Sequence, residues 1–205
     1  MSLPPCRSWA VQGAQLRVPY EAAQGRRVNV IGVHFTHGPA AGRFEYRSWA
    51  CLPKSRAKTQ RKTPEQVAAA HGLHVDEVGP IDSERFLGFV WRVAGRASEA
   101  QETWKRERPL MVVLDNYSVH KSQLVEEAED ALEAAGVHLV YLSSYSPELS
   151  RIEPDWNDVK QHQMPVRSFE RVAELKRAVD EALAHKARQI WEAYAETTSL
   201  RRLDT

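Results

Sequence analysis

Apolar and polar residues alternate along parts of this chain in a way that predicts its strands. Residues 27–35 alternate at first and then become almost continuously apolar, which indicates a strand. A similar run at 43–49 follows, and Gly38, Pro39 and Gly42 lie between the two runs. These turn residues predict that the two strands form a hairpin.

Two further apolar runs and several helical patterns follow the hairpin. Residues 111–114 and 137–142 predict strands. A helix is predicted before each strand: Ser83 is the N-cap candidate of the first helix, and Ser122 that of the second. Apolar residues at helical spacing are Phe86, Leu87, Val90, Trp91 and Ala94, then Leu124, Ala128, Leu132 and Ala135, then Ile152, Trp156 and Val159, and finally Val172, Leu175, Val179, Leu183, Ile190 and Trp191. This order predicts an α/β fold with a mixed sheet flanked by helices.

Residues 53–82 lack an apolar pattern and begin with a basic run. We interpret this segment as a loop or arm within the domain. Its positive residues could contact DNA phosphates, or the segment could be a solvated loop with no ligand, and the sequence leaves both interpretations open. The candidate DNA-binding residues are Lys54, Arg56, Lys58, Arg61 and Lys62.

Composition limits the class of protein. The 205 residues are 42% hydrophobic and 27% charged, which suits one sizeable globular domain. The net charge of +1 gives no overall attraction to nucleic acid or to membranes, so such binding would need a local patch. Cys6 and Cys51 form neither a disulfide framework nor a metal-binding spacing. With no signal peptide and no membrane-length apolar run, we expect a cytoplasmic protein that does not contact membranes.

Two acidic residues follow two of the predicted strands. Asp115 comes directly after the run at 111–114, and Glu153 lies eleven residues after Leu142. Ligands of helix-covered sheets bind at the carboxyl ends of strands, although a single Asp there is also explained by a turn or cap. Two acids at one sheet edge, without a Cys or His ligand set, favour Mg²⁺ over zinc.

Several segments together resemble a known family. They read LDNYSVHKS at 114–122, AGV at 135–137 and YSPELSRIEPDW at 145–156, continuing to Lys160, and RRVNVIG at 26–32 adds to them. These segments resemble the catalytic DDE domain of the mariner-like bacterial transposases of the insertion-sequence-630 family. The resemblance covers nearly all of residues 1–205 and implies a ribonuclease-H-like fold.

The resemblance also implies a reaction and its residues. Such enzymes cut DNA at transposon ends and join it to a target with Mg²⁺ or Mn²⁺, and the intact enzyme is expected to be a homodimer. By resemblance, Asp115 is the second catalytic acid and Glu153 the third, and both are metal ligands. Asn116 and His120 are supporting residues: Asn116 would fix the Asp115 rotamer, and His120 would touch DNA or orient a carboxylate. A capping or packing role explains His120 equally well.

The sequence departs from the family pattern in places. Ser150-Arg151 stands where the family usually has Asn-Pro, and Asp115 and Glu153 are separated by 38 positions, about one helical turn more than the commonest spacing. The family's first catalytic Asp lies on a central strand that precedes a Pro-Pro-x-x-x-Trp segment, which here begins at Pro4. We therefore expect a partial domain, lacking that first strand and Asp, that is inactive on its own.

Other interpretations compete with this one. A catalytically dead DNA-binding or multimerising remnant is the main alternative. A phosphatase or receiver-like domain also places an Asp at a strand end, but the acidic cluster that it needs on an earlier strand is missing. We interpret Asp155 and Asp158 as the solvated side of the Glu153 helix, and Trp49, Trp91, Trp156 and Trp191 as core residues.

Overall fold

A computed structural model describes residues 26–52, 61–96, 103–143, 149–165 and 169–203, with the side chains described up to residue 199. The strands within these residues are β1 (Val28–His34), β2 (Phe44–Ala50), β3 (Leu110–Leu114) and β4 (Val137–Tyr141). The α-helices are α1 (Pro64–His71), α2 (Ser83–Ala94), α3 (Gln123–Ala134), α4 (Glu153–Asp158) and α5 (Val172–Leu203). The mixed α/β architecture predicted from the sequence is confirmed.

Strands β1 and β2 form the predicted hairpin. The Phe35 amide donates to the Arg43 carbonyl over 2.9 Å, and the Cys51 amide donates to the Arg27 carbonyl over 2.9 Å, so the two strands are antiparallel. Gly42 in the connection has a φ of 82°. A Cβ atom at this position would lie 2.5 Å from Cγ of Tyr194. Both the left-handed backbone and this close approach therefore require glycine.

Strands β3 and β4 pair in parallel, with Leu110 opposite Val137 and Leu114 opposite Tyr141. Helix α3 connects them, because parallel neighbours need a crossover. Side chains alternate along β3: Val112 and Leu114 are buried, whereas Met111 and Val113 are 66% and 56% exposed. The buried side packs on α2 and α3 in a core that consists of Phe86, Leu87, Val90, Ala94, Val112, Leu114, Val125, Leu132 and Val137.

The mixed sheet predicted from the sequence is not continuous within the described residues, as expected if its central strand is not among them. The two pairs of strands, β1 with β2 and β3 with β4, form separate two-stranded sheets. A single sheet would need a strand bonded to a member of each pair, and no described strand makes both sets of bonds. The ribonuclease-H-like strand order stays a prediction.

The predicted basic loop over 53–82 is wrong where the structure describes it. Residues 64–71 form α1, with Thr63 and Gln66 making a capping box and Gly72 ending the helix at a φ of 65°. Val67 and Val78 are fully buried. The helix is short and is defined by its caps instead of a long apolar stripe, which explains why periodicity did not reveal it. Residues 53–60 lie outside the described residues.

The described residues fall into two compact units, of which the first is drawn from Met1–Asn29, Ser48–Pro80 and Trp156–Lys186. Its apolar core consists of Ala50, Val67, Ala68, Val78 and Val172. A buried cation, Lys176, pairs with Glu77 and Asp180 over 2.9 Å each. Burial alone would lower the pKa of Lys176, but its hydrogen bonds to Asp180 and Glu77 outweigh burial and raise it.

The second unit comprises Val30–Arg47, Ile81–Asp155 and Ala187–Thr205, within their described parts. It contains the β3–α3–β4 core and a smaller apolar cluster of Phe35, Phe89 and Val93. Trp191 is 52% exposed, so its prediction as a core residue is wrong, whereas Trp49, in the first unit, is buried as predicted. None of the described helices is long and apolar enough to span a membrane.

Candidate functional site

The carboxyl ends of β3 and β4 are held side by side. The Leu142 amide donates to the Leu114 carbonyl over 2.8 Å, which extends the ladder beyond both strands. The Asn116 side-chain amide donates to the Leu142 carbonyl over 2.6 Å. Asn116 therefore ties the two strand ends together, and its suggested effect on the Asp115 rotamer stays a prediction.

Asp115 is an exposed carboxylate directly after β3. Its Oδ1 accepts a hydrogen bond from the Tyr117 amide over 3.1 Å and lies 2.9 Å from His120 Nδ1. The bond to Tyr117 is a turn contact, so Asp115 does shape the local turn as the simpler interpretation proposed. Both contacts use Oδ1, and no described residue bonds to Oδ2, which is therefore available to a ligand.

His120 is held in place by its surroundings. Its ring centroid lies 4.5 Å from that of Phe86 and 5.8 Å from that of Tyr117, and its side chain is 15% exposed. The Tyr141 hydroxyl donates to the His120 carbonyl over 2.8 Å. Burial, together with nearby Glu129, raises the pKa of Tyr141, so this hydroxyl stays a donor. These contacts are those of a packed residue that also lies against the Asp115 carboxylate, and the supporting role of His120 stays a prediction.

Glu153 is the first residue of α4 and is exposed. Its amide donates to the Ser150 carbonyl over 3.3 Å. Its carboxylate makes no polar contact with any described residue. The side chain is therefore free to take a ligand, and its position depends on how the first turn of α4 is held.

The prediction that the two aspartates after Glu153 are solvated is wrong for Asp155, whereas Asp158 is partly exposed. Asp155 is 8% exposed, and its Oδ2 lies 2.9 Å from Nδ1 of His34. Asp158 pairs with Lys186 over 3.0 Å, and the hydrogen bond that Lys186 donates lowers the pKa of Asp158. A signal was present in the sequence, because Asp155 lies four residues before the buried Val159 and therefore shares its helix face.

The donor chemistry of this region suits a hard cation. Carboxylate oxygens are the ligands that Mg²⁺ and Mn²⁺ prefer, and Asp115 and Glu153 both present exposed carboxylates. Within the described residues, however, no group of three or more His, Cys, Asp or Glu side chains could hold a metal ion. These two acids fit the chemistry of the ion, but a complete ligand set would need a further ligand.

The candidate DNA-binding residues are only partly described. Arg61 and Lys62 are exposed, immediately before the Thr63 cap of α1. Lys54, Arg56 and Lys58 lie outside the described residues. Contact with DNA by any of these five residues stays a prediction.

The family model described as DDE superfamily endonuclease matches residues 69–176, which is more than half of the chain and includes Asp115 and Glu153. No curated protein matches the chain significantly.

Proposed function

Because the chain belongs to the DDE superfamily endonuclease family, we propose that it is the catalytic domain of a transposase of the insertion-sequence-630 and mariner-like type. Enzymes of this superfamily act on DNA and generally use divalent metal ions. The observation that carries the proposal is Asp115, which follows β3 where β3 and β4 end in parallel, inside the segment that matches the family. Ligand sites of such sheets lie at this edge.

The proposed reaction has two steps. Water attacks a phosphorus atom at the transposon end, the bond to the 3′ oxygen breaks, and a 3′-hydroxyl and a 5′-phosphate are released. The 3′-hydroxyl then attacks a phosphodiester of the target DNA, which forms a new bond and displaces a target 3′-hydroxyl. Neither step needs an oxidant or a nucleotide cofactor, so DNA and water are the only reactants.

Each residue of the site has a proposed task. Asp115 and Glu153 would hold Mg²⁺ or Mn²⁺, which when bound stabilises the charge that develops on the phosphate. His120 keeps the Asp115 carboxylate oriented through the 2.9 Å contact. Asn116 keeps Asp115 at the sheet edge by bonding the end of β4. Because both acids are exposed, a substrate as bulky as DNA can approach them.

The partners follow from the same proposal. The substrates are transposon ends and target DNA, and the intact enzyme is a homodimer, since two ends are joined in one event. Arg61 and Lys62 would neutralise DNA phosphates.

A second candidate function is a DNA-binding remnant that does not cut. The observation that favours it is the lack of a three-ligand metal group among the described residues. In that case the chain would retain DNA affinity through its basic residues but support no chemistry.

Nicking of supercoiled plasmid in Mg²⁺ and in Mn²⁺ separates the two functions, with DNA affinity measured alongside by fluorescence anisotropy. A catalytic domain nicks the plasmid, and Asp115→Asn and Glu153→Gln each abolish nicking while leaving DNA affinity within about twofold. Because the chain by itself is expected to be inactive, salt-sensitive binding without nicking would identify the remnant only if a form that supplies the first catalytic Asp also fails to nick the plasmid. Nicking that survives both substitutions would refute the assigned acids.

A further inference from the structure

A largely buried pair of side chains, His34 and Asp155, includes a residue two positions after Glu153. His34 is the last residue of β1, and its Nδ1 lies 2.9 Å from Oδ2 of Asp155 in the first turn of α4. The His34 and Asp155 side chains are only 23% and 12% exposed. In the tautomer with its hydrogen on Nδ1, the His34 N–H donates this hydrogen bond and the carboxylate oxygen accepts it. A buried carboxylate is costly without such a partner, so this contact strongly favours the observed position of α4.

Helix geometry separates the two acids of this turn. Residues of an α-helix are about 100° apart around the axis, so Asp155 and Glu153 project about 200° apart. Asp155 is accordingly buried, while Glu153 is exposed and its carboxylate contacts no described residue. Glu153 therefore has no polar contact of its own to fix it. Its position is set by the backbone of the turn that Asp155 anchors.

His34 is itself on a rigid support. The residue after it, Phe35, is bonded through its amide and its carbonyl to Arg43 and Gly42, over 2.9 and 2.8 Å. The His34 ring also makes an edge contact with the ring of Phe44 at 6.4 Å. The end of the hairpin therefore offers Asp155 a donor that cannot easily move.

We propose that His34 is a positioning residue: through its bond to Asp155 it fixes the first turn of α4 and thereby the Glu153 carboxylate. This inference rests on the proposed function, in which Glu153 is a metal ligand. His34 would touch neither metal nor DNA. Residues that orient a metal ligand in this way typically change metal affinity by about 10- to 100-fold when they are removed.

Mn²⁺ binding by the full chain, followed by electron paramagnetic resonance, tests the proposal without any need for activity. We expect His34→Ala to weaken Mn²⁺ binding at least about tenfold. His34→Asn, whose amide can donate from nearly the position of Nδ1, should restore most of the affinity. His37→Ala is the matched control, because His37 is an exposed histidine three residues further along, and it should leave binding unchanged.

A second measurement separates positioning from general destabilisation. Amide hydrogen exchange in His34→Ala should accelerate across residues 150–158 while the amides of β3 and β4 keep their protection. Asp155→Ala should weaken Mn²⁺ binding at least as much as His34→Ala, and the double variant should bind Mn²⁺ no more weakly than Asp155→Ala alone. Uniformly faster exchange with unchanged Mn²⁺ affinity would overturn the proposal.

Glu153→Gln distinguishes failure of this inference from failure of the proposed function. If Glu153→Gln weakens Mn²⁺ binding but His34→Ala does not, the positioning role is wrong and the metal site stands. If Glu153→Gln leaves Mn²⁺ binding unchanged, the metal site itself is wrong and the inference falls with it.

Discussion

At the scale of single residues, the contact between Asp115 and His120 joins two side chains that differ sharply in exposure. The Asp115 side chain is 61% exposed, whereas that of His120 is 15% exposed. Because most of the carboxylate is in water, the pair contributes at most about 1 kcal/mol to stability. Its larger effect is on the direction in which the carboxylate points.

In a form of the protein that also carries the first catalytic Asp, Asp115→Ala is therefore expected to abolish metal-dependent DNA cleavage and to change the melting temperature by no more than about 4 °C. Calorimetry and plasmid nicking measure the two effects on the same preparation. Asp130→Ala, at an exposed position of α3, is the control and should alter neither. A large loss of stability in Asp115→Ala would show that this acid is structural.

The buried Lys176 carries the second prediction at this scale. Lys176→Met should destabilise the protein by about 1 to 3 kcal/mol at neutral pH, because Glu77 and Asp180 lose their charged donor. Urea unfolding measures the change. Lys105→Met replaces an exposed lysine and should have an effect within about 0.5 kcal/mol.

Lys176→Met should also change how the free energy of unfolding depends on pH in the acid range. A hydrogen bond from the His74 backbone, and then one from Lys176, lowers the pKa of Glu77 below its ordinary value of 4.5. The contribution of Glu77 to the stability of the folded protein is therefore fully present above pH 4.5. That contribution is lost as the pH falls through the lowered pKa. In Lys176→Met the pKa of Glu77 should rise toward its ordinary value, and the loss of stability below pH 4.5 should become shallower. An unchanged acid slope would contradict this account.

At the scale of elements, periodicity succeeded where an element packs one whole face on the core. Helices α2 and α3 and strands β3 and β4 were predicted because their apolar residues repeat at the spacing of the buried face. Helix α1 has only eight residues and few apolar ones, so it shows no apolar pattern. The basic run before it therefore led to the interpretation of the whole segment as a loop or arm. The pairing of His34 with Asp155 joins residues 121 positions apart, which no local pattern encodes.

Thr63 allows a prediction about α1. Its side chain accepts from the Gln66 amide, and its own amide donates to the Gln66 side chain over 3.0 Å. Thr63→Ala should cost about 1 kcal/mol and accelerate hydrogen exchange within α1. Thr197 lies inside α5, and its hydroxyl donates only to the Ala193 carbonyl, one turn earlier in the same helix. Thr197→Ala should therefore leave the free energy of unfolding unchanged or raise it slightly. Equal effects of the two substitutions would show that the cap does not hold α1.

At the scale of the whole molecule, DNA affinity must come from local charge, since the net charge is only +1. Arg61 and Lys62 are exposed side by side. If each neutralises one phosphate, Arg61→Ala with Lys62→Ala should reduce the slope of log affinity against log salt by about 1.8. Arg108→Ala, which removes another exposed basic residue, should leave the slope unchanged. A slope that does not respond to the double substitution would remove this pair from the DNA interface.

The contact of Gly42 with Tyr194 has a consequence for how this lineage can vary. Every other amino acid carries a Cβ, and at position 42 that atom would lie 2.5 to 2.7 Å from the Tyr194 Cγ, Cβ and Cδ1 atoms. These atoms lie near the backbone of α5, so they cannot swing aside as the tip of a long side chain would. Any point mutation in the Gly42 codon that changes the amino acid is therefore disfavoured while Tyr194 is present. A smaller residue at 194 would not release position 42, because the Cβ atom that every residue except glycine carries at 194 lies 2.6 Å away and the φ of 82° still strains any side chain at position 42, so this site is held to glycine on two independent grounds.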